Sequence, residues 1–212
     1  MTTVVDAAAP RQLGRPRDPR VDAAIVDATL RLLAEGGYSS LTMEAVAALA
    51  GIGKATLYRR YAGKEQLVVD AVATLSEAPE VVQGASVRDE LVARLEAVRR
   101  KSDSSLAGQI FPRLLSASAD NPELMRHYRR QVLEPRRAAF AAALQRGVDE
   151  GLVRPDVDLD HAVDLLVGPM AYRNLIRNEP PPGPELAGRI VDDVLVGLAP
   201  RAAPCAPQDG SA

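Results

Sequence analysis

"GIGKATLYRRYAGKE", residues 51–65, sets two glycines ahead of a short basic run in which small residues alternate with leucine and tyrosine. The run is too short to bury a core of its own, and its polar residues do not converge as an active site does. Its meaning comes from its flanks. Upstream, the Thr42 hydroxyl suits an N-cap, Glu44 lies in the first turn, and Met43, Val46, Ala47 and Ala50 form one face before Gly51 stops the helix. Downstream, a second short helix runs over 53–60. Another opens near 63–65, with Leu67, Val68, Ala71 and Leu75 on one side. Two short helices joined by the tight turn "AGIG" predict a helix-turn-helix. Ahead of them, Ile25, Ala28, Leu32 and Leu33 fall at helical spacing on a first helix that ends at Gly36-Gly37.

In such a pair Ile52 and Leu57 anchor the unit, and the second helix exposes Lys54, Ala55, Thr56, Tyr58 and Arg59. Small residues at its start let the backbone approach base edges. Lysine and arginine supply charge for phosphate or guanine, and tyrosine a phenol within reach of phosphate. A helical hairpin with a merely solvated basic face has the same spacing.

The charge distribution agrees with a nucleic-acid partner better than the total does. The chain of 212 residues has net charge −2, but residues 1–66 carry 9 Lys/Arg against 7 Asp/Glu, and residues 67–212 carry 17 against 21. Arg11, Arg15, Arg17 and Arg20 face only Asp18 in "RQLGRPRDPR", a basic arm on a modest scale. Hydrophobic residues make up 47% and charged residues 25%, an ordinary globular composition; 3% aromatic and no Trp suit Ala/Leu/Val-rich helix packing. No apolar run approaches a membrane span, and the N-terminus lacks the order of a signal peptide. Cys205 is the single cysteine, so disulfides and cysteine metal clusters drop out, and the expected compartment is the cytoplasm.

Beyond "SEAPEVVQGAS", Ser86 to Asp89 resembles a capping box and opens a helix to about Lys101. "NPEL" places Asn121 as cap and Pro122 at the first position of a long helix that reaches Gly147 or Gly151, with Pro135 inside it. Further helices are expected over 159–177 and 184–198, separated by "NEPPPGP". No run alternates like a strand. The fold is expected to be all-α, with about nine helices. A flexible basic arm (1–17) precedes a helix-turn-helix domain (18–66), a helical ligand-binding and dimerisation domain (67–199) and a disordered tail (200–212).

Residues 23–72 closely resemble the DNA-binding domain of the tetracycline-repressor (TetR) family, without a gap. The resemblance rests on the Gly37-Tyr38 pair, the Thr42 cap, the "TLY" of the recognition helix, and the aromatic-x-x-Lys-Glu that ends at Glu65. It implies that Thr42 and the start of the second helix touch phosphate. Lys54, Ala55 and Thr56 would face the major groove, and Tyr58 and Lys64 would bind phosphate. Arg15 and Arg17, in "GRPR", resemble basic arms that enter the minor groove. Gly53 stands where the family has a Ser/Thr-like cap, and Ala62-Gly63 replaces the common Pro-Ser/Asn, so somewhat weaker helix starts are expected.

Residues 86–198 resemble the regulatory half of the family more loosely, which implies a homodimer through the last two helices and a ligand cavity around the long helix. The dimer stripe is expected at Leu166, Ile190, Val191, Val194 and Leu198. The candidate cavity lining is Phe111, Leu114, Met125, His127, Tyr128, Phe140 and Met170, which points to a largely apolar effector. The chain therefore reads as a ligand-responsive repressor that binds a double-stranded DNA operator as a dimer. An activator on the same scaffold, or a helical interaction protein without a DNA role, are the rivals.

Other chemistry finds little support. His127 and His161 have no paired ligand spacing, so no metal and no cofactor are expected. Asp156, Asp158 and Asp160 alternate as in a calcium loop but lack its later Gly and Glu, which favours helix capping. "GIGKAT" lacks the spacing of a phosphate-binding loop. No nucleophile, base and metal set argues for an enzyme. Arg129, Arg130, Arg136 and Arg137 offer charge for an anionic effector, but a solvated or ion-paired helix face is the favoured reading.

Overall fold

The computed structural model describes residues 18–75, 84–103, 105–177, 183 and 185–200. The basic arm with Arg15 and Arg17, the "SEAPEVVQ" break, most of the proline-rich linker, and the tail with Cys205 lie outside the described residues.

Helix α1 (Pro19–Ser40) begins where Asp18 accepts from the backbone N–H of Arg20, with Pro19 in its first turn. It bends at Gly37, whose φ of 73° is a left-handed conformation that favours glycine. The bend turns Tyr38 inward, with Leu41 behind it. Helix α2 (Met43–Leu49) is capped by Thr42, whose hydroxyl accepts from Ala45 N–H at 3.1 Å. Gly51, at φ 67°, makes the turn into α3 (Lys54–Tyr58), and α4 (Lys64–Thr74) follows. Both α3 and α4 start at a glycine without a side-chain cap, as Gly53 and Gly63 led one to expect.

Further along come α5 (Val87–Asp103), α6 (Ser105–Asp120), α7 (Pro122–Tyr128), α8 (Glu134–Asp149), α9 (Leu159–Tyr172) and α10 (Glu185–Leu198). Helices α7 and α8 are one continuous rod joined by a π-helical turn over Arg129–Leu133, and a second π-turn, Arg173–Arg177, extends α9. Pro135 stands two residues beyond the end of the first of these turns. A proline ring clashes with the carbonyl four residues back and offers no N–H, and a locally widened turn relieves both. The fold is all-α, and no strand occurs among the described residues. Helix α6, with Pro112 inside it, is an element that the sequence reading did not assign.

Two buried clusters hold the chain together. In the first, Ile25, Leu33, Val46, Leu57, Leu67 and Val68 join Ile110, Leu114, Leu124, Tyr128 and Val132. Helix α1 lies along α6, and α4 packs on α1, α7 and the π-turn. The expected division after residue 66 therefore falls within α4, whose buried side chains bridge both sides of it. The second cluster joins Val87, Leu91 and Leu95 of α5 to Phe140 and Leu144 of α8, Leu166 of α9, and Ile190 and Val191 of α10. Ion pairs frame it. Glu90, almost fully buried, is held by Arg94 and by Arg146 at 2.6 Å, and Arg88 binds Asp192 at 2.6 Å.

This second cluster corrects the expected dimer stripe. Leu166, Ile190, Val191 and Leu198 are buried within the chain, and Val194 packs against the same cluster. The apolar side of α10 covers α5 and α9, so it is not left over for a partner. The apolar residues that do remain exposed there are Leu165, Tyr172, Ile176 and Val196, the last two at 70% and 78%.

Candidate nucleic-acid interface

Leu57 is fully buried, and around it α3 turns Lys54, Ala55, Tyr58 and Arg59 to solvent, with Thr56 partly covered. One buried leucine thus fixes which side of a five-residue helix faces out. Arg60, just past α3, is ion-paired to Asp22 at the start of α1, which anchors the far end. Within the exposed face, Arg59 donates to the Thr56 hydroxyl at 3.2 Å. Glu44 of α2 accepts from the Tyr58 hydroxyl at 3.4 Å and lies 3.7 Å from the Lys54 ammonium. The acidic side chain therefore engages the polar heads of both Lys54 and Tyr58 on this face.

Lys64 is placed differently from its neighbours. Its ammonium sits 4.1 Å from the centre of the Tyr38 ring, a cation–π contact, and partial burial pushes its pKa down. Below it lies a polar cluster that sequence reasoning missed. The Tyr38 hydroxyl donates to Glu65 at 2.6 Å, and the Asn121 amide donates to both the Tyr38 oxygen at 2.9 Å and Glu65 at 3.1 Å. The other end of Asn121 caps α7, accepting from Leu124 N–H at 3.0 Å. The Tyr38 hydrogen bond, above all, holds the Glu65 carboxyl below its ordinary pKa, while burial raises that of Tyr38. "NPEL" announced Asn121 only as a cap; nothing in the sequence signals its second role across 83 residues.

One turn along, Asp70 of α4 lies near Gln66, Gln131 of the π-turn and His127, and burial raises its pKa. The His127 Nδ1 atom is buried and finds no hydrogen-bond partner among the described residues. The expected cavity lining is not brought into one wall. Phe111, Leu114, Met125 and Tyr128 belong to the first cluster, Phe140 and Met170 to the second. Phe111 and Tyr128 stack obliquely at 5.9 Å.

Asp158 caps α9, accepting from Asp160 N–H at 3.0 Å and His161 N–H at 3.1 Å, which gives the alternating aspartates their role. Among the described residues, no group of three or more His, Cys, Asp or Glu is arranged to hold a metal ion. No helix there is long and apolar enough to cross a membrane.

A three-helix unit whose short third helix shows a basic, small-residue face defines a helix-turn-helix DNA-binding protein. Comparison with known proteins narrows the class. Residues 25–71 match the family model of bacterial regulatory proteins, tetR family, and residues 81–194 match the tetracyclin repressor-like C-terminal domain. The chain is 32% identical over 178 residues to the DNA-binding transcriptional repressor TetR of Mycobacteroides abscessus, covering 83% of this chain and 92% of that one. It is 30% identical over 168 residues to the HTH-type regulator YdeS of Bacillus subtilis, covering 78% and 84%. The crystal structure of the TetR family regulator SCO0332 is 32% identical and superposes with a TM-score of 0.64, over 85% of this chain and all of that one. The chain belongs to the TetR family and is a DNA-binding transcriptional regulator.

Proposed function

We propose that the chain acts in the cytoplasm as a homodimeric repressor, released from a near-palindromic operator when a small molecule occupies the half that begins in α4. The observation that carries this reading is the Tyr38–Glu65–Asn121 cluster. It ties the first turn of α4, next to the DNA-facing helix, to the cap of the long α7–α8 rod. A ligand acts only through a difference in affinity for two conformations, and here any shift of the rod reaches α4 through hydrogen bonds as well as packing. In this reading Lys54, Ala55 and Thr56 face base edges. Tyr58, Arg59 and the uncapped starts of α3 and α4 meet phosphate, and Thr42 supports the start of α2.

Repression is supported by the relative from Mycobacteroides abscessus, a DNA-binding transcriptional repressor. Ligand control agrees with the fold, which is shared with FadR of Bacillus subtilis, captured with stearoyl-CoA, at 17% identity. The dimer is assigned to Leu165, Tyr172, Ile176 and Val196, the apolar residues of α9 and α10 and the π-turn between them that stay exposed.

The test uses DNA from the chain's own upstream region in fluorescence anisotropy. Wild type binds it in a salt-sensitive way, and Met125→Trp, which fills the expected ligand space, binds as ligand-loaded protein does. Tight binding of the same DNA by Met125→Trp, unaffected by any compound, would remove the ligand switch from the reading.

A further inference from the structure

Helix α3 turns Lys54, Ala55, Tyr58 and Arg59 outward, a face of hydrogen-bond donors with one small residue among them. Two carboxylates close to this unit are committed elsewhere: Asp22 pairs with Arg60, and Glu65 accepts from Tyr38 and Asn121. Glu44 is the exception. Rooted in the first turn of α2, it reaches across to α3, where a single oxygen, Oε1, accepts from the Tyr58 hydroxyl at 3.4 Å and lies 3.7 Å from the Lys54 ammonium. Its other oxygen accepts no hydrogen bond among the described residues. The Lys54 and Glu44 side chains remain 64% and 49% exposed, so both can still meet a ligand.

A glutamate here works against DNA binding, because it repels the phosphates that the rest of the face attracts. Its place beside a lysine gives it another use. Ammonium and carboxylate side by side present a donor next to an acceptor, and one base pair carries the complement. In the major groove guanine offers N7 and O6 as acceptors, and the cytosine paired with it offers an N4 amine. That amine and O6 are hydrogen-bonded to each other, about 3 Å apart, a spacing close to that of the Lys54 and Glu44 head groups. An A·T pair instead sets its N6 amine between two acceptors, adenine N7 and thymine O4, so a carboxylate approaching the amine meets both. Ala55, exposed beside Lys54, leaves room for a base edge to come close.

We propose that Glu44 is a specificity-determining residue, its carboxylate accepting from a cytosine N4 amine while Lys54 donates to the guanine of the same pair. Each half-site then holds one G·C pair, in fixed orientation, that α2 and α3 read together. This rests on the reading above in which α3 faces base edges. Specificity here comes as much from exclusion as from contact, since the carboxylate penalises any pair that meets it with an acceptor.

The test maps the operator by footprinting on the chain's own upstream DNA and then substitutes each pair of one half-site in turn. Fluorescence anisotropy gives Kd for wild type, Glu44→Gln and Glu44→Ala on every sequence. Wild type is expected to favour C·G over A·T by about tenfold or more at one pair. Glu44→Gln is expected to reverse that preference, because glutamine pairs with adenine N6 and N7, and to leave the profile at the remaining pairs as in wild type. Loss of the negative charge strengthens binding to all sequences alike, so it does not enter the profile. N4-methylcytosine at that pair keeps its pairing to guanine and loses the free N–H. It is expected to weaken wild type about tenfold and to leave Glu44→Ala unaffected. Identical profiles for wild type and Glu44→Gln, or N4-methylcytosine without effect on wild type, each overturn the assignment and leave a first-turn glutamate that only tempers the charge of the face. A wild-type profile that still discriminates would then keep the α3 reading standing. A flat wild-type profile over the whole half-site would remove both.

Discussion

Glu44 decides how strongly the DNA-facing helix is charged. With its carboxylate against Lys54 and Tyr58, part of the positive face is answered from within the chain. Glu44→Gln should tighten operator binding and steepen the dependence of log Kd on log salt by about one unit, because one more phosphate charge is neutralised by the protein. A shallower slope would show that Glu44 orders the face for DNA. Glu65 gives a pH signature. Its folded pKa is depressed, chiefly by the Tyr38 hydroxyl, so its contribution to stability is complete above the unfolded value of about 4.3 and lost as pH falls through the lower folded value. Glu65→Gln should therefore be less stable than wild type at pH 7, with the gap closing in acid. A gap that persists at low pH would mean the loss is one of packing.

At the scale of elements, α10 makes the sharpest correction. Its stripe was legible as a pattern, since Ile190, Val191, Val194 and Leu198 do share a side, but periodicity reports that a side is buried and not by what. Here α5 and α9 bury it. Val191→Asp places an unpaired charge in that core, so it should lower unfolding stability by about 3 kcal/mol or more at every protein concentration. Val196→Asp, at an exposed site, should leave folding intact. The helix-turn-helix was legible because caps, glycines and spacing act within a few residues: Thr42, Gly51 and Leu57 each stand as read. Helix α6 was missed because Pro112 interrupts its pattern, and the Tyr38–Glu65–Asn121 cluster because its members meet only after folding.

For the whole molecule, one recognition helix reads too few bases, so two copies must be held one or more helical turns apart, about 34 Å per turn. Tyr172→Glu/Ile176→Glu should give a folded monomer in light scattering whose operator affinity falls to that of a single half-site. An undiminished dimer would place the interface elsewhere. The central claim, that α3 reads DNA, is tested most directly by footprinting the chain on its own upstream region and repeating the titration with Lys54→Ala/Thr56→Ala. Wild type should protect two half-sites in two-fold relation. The variant should lose about 1–3 kcal/mol per base contact on that site, while keeping its affinity for unrelated DNA. Equal losses on both DNAs, or discrimination unchanged in the variant, would contradict it.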